Sequence, residues 1–167
     1  MVGASYPEFA TSVIGEALLT TAEQLTAFAA SADFSQKIGL AFGDSLLNSQ
    51  LTDLQNGWLV GDYQNLPDIK ILSGGLLNSA LGVFAQETNT IYLSQEYIDR
   101  NDTNPEAISS ILLEEIGHFV DAKINLLDTP GDEGAIFAAL VQRGNLDDST
   151  LQSFKAKMTA ERSRLKE

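Results

Sequence analysis

The chain has 167 residues, enough for one domain, and 44% of them are hydrophobic against 20% charged, so it can bury a core and is not a disordered tail. Ten basic residues against 23 acidic ones leave a formal net charge of −13, which excludes nucleic acid as a partner and disfavours an anionic membrane surface. A cationic ligand or a metal ion suits that balance better.

The spacing of apolar residues predicts a helix over 11–30, where Val13, Ile14, Ala17 and Leu18 line one face and Leu25, Phe28 and Ala29 continue it. A second helix is expected over 33–42, with Phe34, Ile38 and Phe42 on one side and Gly43 as its stop. Residues 44–64 are ambiguous: Leu46, Leu47, Leu51 and Leu54 suggest a helix that Gly57 and Gly61 break. Three strands are then expected, at 68–73, 82–85 and 90–94, the last two joined by a turn at Glu87-Thr88-Asn89. Asn104-Pro105-Glu106 marks a helix start, with Asn as cap and Pro in the first position. That helix should reach about Ile124. Thr129-Pro130-Gly131 reads as a turn, Asp132 can cap a helix over 133–143, and Gly144 ends it. A last helix covers roughly 149–165.

No cysteine is present, so neither a disulfide framework nor a thiolate metal site is possible, and a metal would need His, Asp, Glu or backbone ligands. Met1 to Thr11 carries acidic Glu8 and no basic cluster ahead of an apolar run, unlike a signal peptide, and no apolar stretch is long enough to cross a membrane. The acidic, cysteine-free composition leans toward an extracellular protein exported without a cleaved N-terminal signal, with the cytoplasm as the alternative. Five of the ten basic residues, Lys155, Lys157, Arg162, Arg164 and Lys166, cluster at the C-terminal end, where a solvated helix end is the simplest reading. GxGxxG, GxxxxGK[ST] and GxSxG motifs are absent, which leaves nucleotide binding and a serine nucleophile elbow without support.

One segment carries chemistry: Glu114-Glu115-Ile116-Gly117-His118, with Asp121 beyond it. His118 is the chain's single histidine. On a helix Glu114, His118 and Asp121 are spaced i, i+4, i+7 and share a face, which Glu115 borders. Two adjacent carboxylates beside an imidazole, within an otherwise apolar helix, are expensive to bury unpaired and call for a cation, a metal or solvent. The plain alternatives are a hydrogen-bonded histidine, a solvated Glu114 or one paired with Lys123 or Arg100, and Glu133 as an ordinary first-turn acid. Glu115-x-x-His118 also fits a di-iron bundle, but that needs a second ExxH, and one histidine rules it out.

EEIGH resembles the zinc-peptidase motif HExxH in the form HEIGH, with Glu114 in place of the first histidine. The resemblance implies Glu114 and His118 as metal ligands and Glu115 as the general base that activates a metal-bound water. In the gluzincin branch a later helix supplies the third ligand. Gly131-Asp132-Glu133-Gly134-Ala135 resembles that segment and implies Glu133. Asp121, one turn beyond His118, would orient a ligand. TNTIYLSQEYI resembles the edge strand of a zincin cleft and implies Thr90, Ile91 and Tyr92 as a docking edge for an extended peptide. Residues from about Gly82 to Gln142 also resemble a domain of large calcium-binding, hemolysin-like proteins of photosynthetic bacteria. No metzincin extension is present, since Asp121 and Ile124 stand at its further positions. No second histidine can stabilise an oxyanion, which leaves Tyr63, Tyr92 or Tyr97.

The expected fold is therefore α+β and zincin-like: helices around a small, mostly antiparallel sheet with an edge strand beside the active helix. It would form a single domain, with a helical part at 1–65, a zincin-like core at 66–145 and a C-terminal helix at 146–167. The expected function is metal-dependent hydrolysis of peptide bonds in a peptide or protein substrate. Zn2+ is the expected cofactor, and two carboxylates with one imidazole also suit Mn2+ or Fe2+. The competing reading is a catalytically degenerate zincin-like binding or structural module of a secreted or surface protein.

Overall fold

The computed structural model describes residues 12–44, 46, 48–125 and 132–164. The expected turn at Thr129-Pro130-Gly131 and the segment Met1 to Thr11 lie outside the described residues. Among those described are seven α-helices and one three-stranded mixed sheet, an α+β arrangement.

The N-terminal helices are α1 (Val13–Ala29), α2 (Phe34–Phe42) and α3 (Asn48–Leu59). Ser12 caps α1 by accepting the Gly15 N–H. The expected break at Gly57 does not occur: α3 runs through it, because Trp58 is drawn into the core at 2% exposure. Gly61, at φ +71°, ends the helix instead. The Asp62 N–H donates to the Gly57 carbonyl (2.8 Å) and the Gly61 N–H to that of Trp58 (3.2 Å), a paired cap that a left-handed glycine permits.

The strands are β1 (Asp68–Leu72), β2 (Gly82–Ala85) and β3 (Thr90–Ser94). Their spatial order is β1-β3-β2. Ile91 of β3 lies opposite Ile69 in a parallel pair and opposite Phe84 in an antiparallel one. The sheet is thus mixed rather than mostly antiparallel. Residues 73–81 carry the chain far enough sideways to leave a strand-wide gap between β1 and β2. The 3-10 turn Gln86–Thr88, closed by left-handed Asn89 (φ 47°), returns β3 into that gap. Strand alternation puts Ile69, Ile91 and Phe84 on the face toward the helices, and Lys70, Tyr92 and Val83 on the other.

After β3 come α4 (Gln95–Arg100), α5 (Pro105–Ile124), α6 (Glu133–Arg143) and α7 (Asp148–Arg164). The sequence reading missed α4, a short helix capped by the Ser94 hydroxyl. Asn104 caps α5 as expected, accepting the Ala107 N–H. Asp132 precedes α6 without a side-chain cap bond, because at φ −84°, ψ 25° its backbone is not extended as a capping residue requires.

Helix α5 is the centre of the molecule, packed against α6, α1 and β2. The core passes continuously from Ile14 and Leu25 through Leu112 and Phe119 to Phe137 and Leu140. Phe137 is fully buried, and its ring meets those of Phe28, Phe42 and Trp58. A buried Thr21–Ser109 hydroxyl bond of 2.7 Å pins α1 to α5. No described helix is long and apolar enough to cross a membrane.

Candidate functional site

Glu114, Glu115 and His118 come together on α5 because a helix advances 100° per residue. Glu114 and His118, one turn apart, project toward one side, and Glu115 points toward β2. One donor atom from each of the three lies within 4.8 Å of the others, a group able to hold a metal ion. Glu114 and His118 are half-buried, and Glu115 is buried at 6% exposure.

Three glycines let the neighbouring elements press this close. A Cβ on Gly82 of β2 would stand 2.6 Å from the Ile111 Cγ2 and 3.1 Å from the Glu115 Cγ, so only a bare backbone lets α5 approach the strand here. On the other flank Gly117 meets Gly134 of α6, where a Cβ on the first would fall 2.6 Å from the Cα of the second. The segment from Glu114 to His118 is thus gripped between a strand and a helix.

Glu115 reaches the rim of β2, where its Oε2 accepts the Phe84 N–H at 2.7 Å. Antiparallel pairing alternates inward and outward backbone groups, so a Phe84 N–H bonded to Glu115 is one turned away from β3. The carboxylate therefore occupies the open side of the sheet.

Burial pushes the Glu115 carboxyl up to about 7, the neighbouring Glu114 charge pushes the same way, and the Phe84 N–H pulls against both. Burial also raises the Glu114 carboxyl. His118 opposes that rise, and Asp132, at the foot of α6, adds to it. Two crowded carboxyls that resist ionisation suit a cation, which would favour the charged form of both. Two carboxylates and an imidazole also form a donor set able to hold a metal ion.

The other expected residues distribute as follows. Glu133 is buried at 6% exposure as the first residue of α6, beside the glycine crossing and outside the 4.8 Å group. Asp121 is buried too, and its Oδ1 accepts from Asn125 Nδ2 at 2.6 Å. That same amide donates to the Phe42 carbonyl at 3.1 Å, so the aspartate fastens the end of α5 to α2. Thr90, Ile91 and Tyr92 do not form an edge. Both sides of β3 are taken by β1 and β2, and the strand beside α5 with an open side is β2. Tyr63 and Tyr97 are engaged elsewhere, the first with Thr26 and the Ala22 carbonyl, the second with the Ala107 carbonyl. Tyr92 lies on the sheet face away from α5.

Neither cation considered for Glu114 pairs with it among the described residues. Lys123 sits 5.1 Å over the Phe119 ring, and Arg100 donates to the Glu96 carbonyl. Sequence reasoning missed the Phe84 N–H and the close approaches at Gly82 and Gly134. Glycine inside an element was the available signal for the last two. The chain matches no protein-family model, no curated protein and no solved structure.

Proposed function

We propose that this chain is a metal-dependent, peptidase-like domain of zincin-like architecture. The observation that carries the reading is the Glu114, Glu115 and His118 donor group, gathered within 4.8 Å beside the open side of β2. Glu114 and His118 would hold the ion, zinc in the first instance, with Glu133 joining from α6. When bound, such an ion supplies Lewis-acid polarisation of a carbonyl oxygen and of water.

Glu115 would take the proton of the attacking water and deliver it to the leaving amine. Burial raises this carboxyl to about 7 in the metal-free chain, and a bound cation would lower it, favouring the carboxylate that accepts the water's proton. Phe84 holds one oxygen of that carboxylate through its N–H, which leaves the other for the proton. An extended peptide would add along the outer side of β2, its backbone meeting the outward groups other than the Phe84 N–H, which Glu115 holds.

A second reading is supported by the position of Glu133 outside the 4.8 Å group: a catalytically degenerate binding or structural module. Metal analysis of the purified chain separates the two. Stoichiometric zinc that is lost in His118→Ala and Glu133→Ala supports the metal site. Absence of metal, with thermal stability unchanged by chelator, supports the module. Catalysis requires turnover of a peptide library that vanishes in Glu115→Gln while metal stays bound.

A further inference from the structure

The two glycines at the α5–α6 crossing face different things. The atoms nearest a Cβ on Gly117 would all belong to α6, with the Gly134 Cα at 2.6 Å and both the Gly134 carbonyl oxygen and the Phe137 Cβ at 3.1 Å. A Cβ on Gly134 would lie 2.5 Å from the Glu114 carbonyl oxygen, 2.8 Å from His118 Nε2 and 3.0 Å from its Cδ2. Contacts that short force something to shift. The Glu114 carbonyl belongs to the helix backbone and yields only if the helices part. The His118 ring is half-buried and has solvent to swing into.

We infer that Gly134 is a positioning residue for His118: its bare Cα seats the Nε2–Cδ2 side of the imidazole and keeps the ring within reach of Glu114 and Glu115. Close helix packing accounts for Gly117, whose nearest neighbours are Gly134 and Phe137 of α6. At Gly134 the missing side chain borders a ligand candidate. A methyl there turns the ring outward and disperses the 4.8 Å group. The inference rests on the metal-site reading for its functional meaning, and the seating itself is a property of the metal-free protein.

The unmodified chain, Gly134→Ala and Gly117→Ala are compared by melting temperature, by calorimetric titration with Zn2+, and by the ring 15N resonances of the chain's single histidine. Both variants are expected to melt lower. Only Gly134→Ala is expected to move the imidazole resonances of the metal-free protein, and it should weaken Zn2+ binding on the order of 10–100-fold, as misoriented ligands do. Gly117→Ala should keep the resonances and lose less affinity. Equal losses of affinity in the two variants, with imidazole resonances unmoved in Gly134→Ala, overturn the inference. If Gly134→Ala does not fold, nuclear Overhauser contacts between the His118 ring and the Gly134 Hα protons of the unmodified chain decide: their presence supports the seating and their absence overturns it. Failure of the unmodified chain to bind Zn2+ removes the metal reading, while the resonance shift in metal-free Gly134→Ala still tests the seating.

Discussion

Replacing Glu115 by Gln removes a buried charge while keeping an oxygen for the Phe84 N–H. Burial holds a proton on Glu115 up to about pH 7 in the folded protein, against 4.5 for the free group. Between those values the native state binds more protons than the unfolded chain, so unfolding free energy falls as pH rises through the window. The corresponding stability, about 3 kcal/mol, is fully present below the unfolded value and lost above the folded one. Glu115→Gln lacks this dependence. In chelator-treated protein the variant should match the unmodified chain near pH 4 and exceed its stability by up to about 3 kcal/mol at pH 8. Urea unfolding at a series of pH values, with equal m-values required for both proteins, measures the difference directly. Titrations other than that of Glu114, whose charge acts on position 115, are shared, so subtraction isolates this carboxyl pair. A stability difference that stays constant from pH 4 to pH 8, or one that favours the glutamate at high pH, refutes the burial argument. Saturating zinc should reverse the ranking, because an ion bound to the site stabilises the charged carboxylates.

Three further outcomes follow from the packing. Phe137→Ala empties the point where the Phe28, Phe42 and Trp58 rings converge, and should cost about 3–5 kcal/mol in denaturant unfolding. Gly61→Ala forces a side chain into the left-handed position that closes α3, at a cost of about 1–2 kcal/mol. A stability loss near zero would show that this cap does not form. Thr21→Val removes one partner of the Ser109 hydroxyl, which keeps its 3.3 Å bond to Gln24 Oε1, and should cost about 0.5–1.5 kcal/mol. Adding Ser109→Ala should recover part of that loss, and strictly additive losses in the double-mutant cycle would argue against the bond.

Local rules were enough wherever a residue's own backbone or its near neighbours decide the conformation. Asn104 and Pro105 announce α5, and the run Ile108, Leu112, Ile116, Phe119 gives it a buried stripe. The alternation and turn residues from Gly82 to Ser94 mark two strands and their reversal. The spacing of Glu114, Glu115 and His118 follows from helical pitch, so their proximity was legible before any coordinate. Misreadings arose where partners come from elsewhere in the chain. Gly57 lies inside a helix because Trp58 fits the distant core. The middle place of β3, which closes Thr90, Ile91 and Tyr92 to an added strand, depends on how far residues 73–81 displace β2 from β1. Composition does not encode which side of a strand will be paired. Likewise Glu115 owes its raised pKa to burial, to Glu114 and to the Phe84 N–H, and the imidazole its seat to a glycine on α6. Helical pitch is a local property of the backbone, whereas dielectric surroundings and steric clearance are set by whatever atoms the folded chain brings alongside, and these belong to the tertiary structure alone.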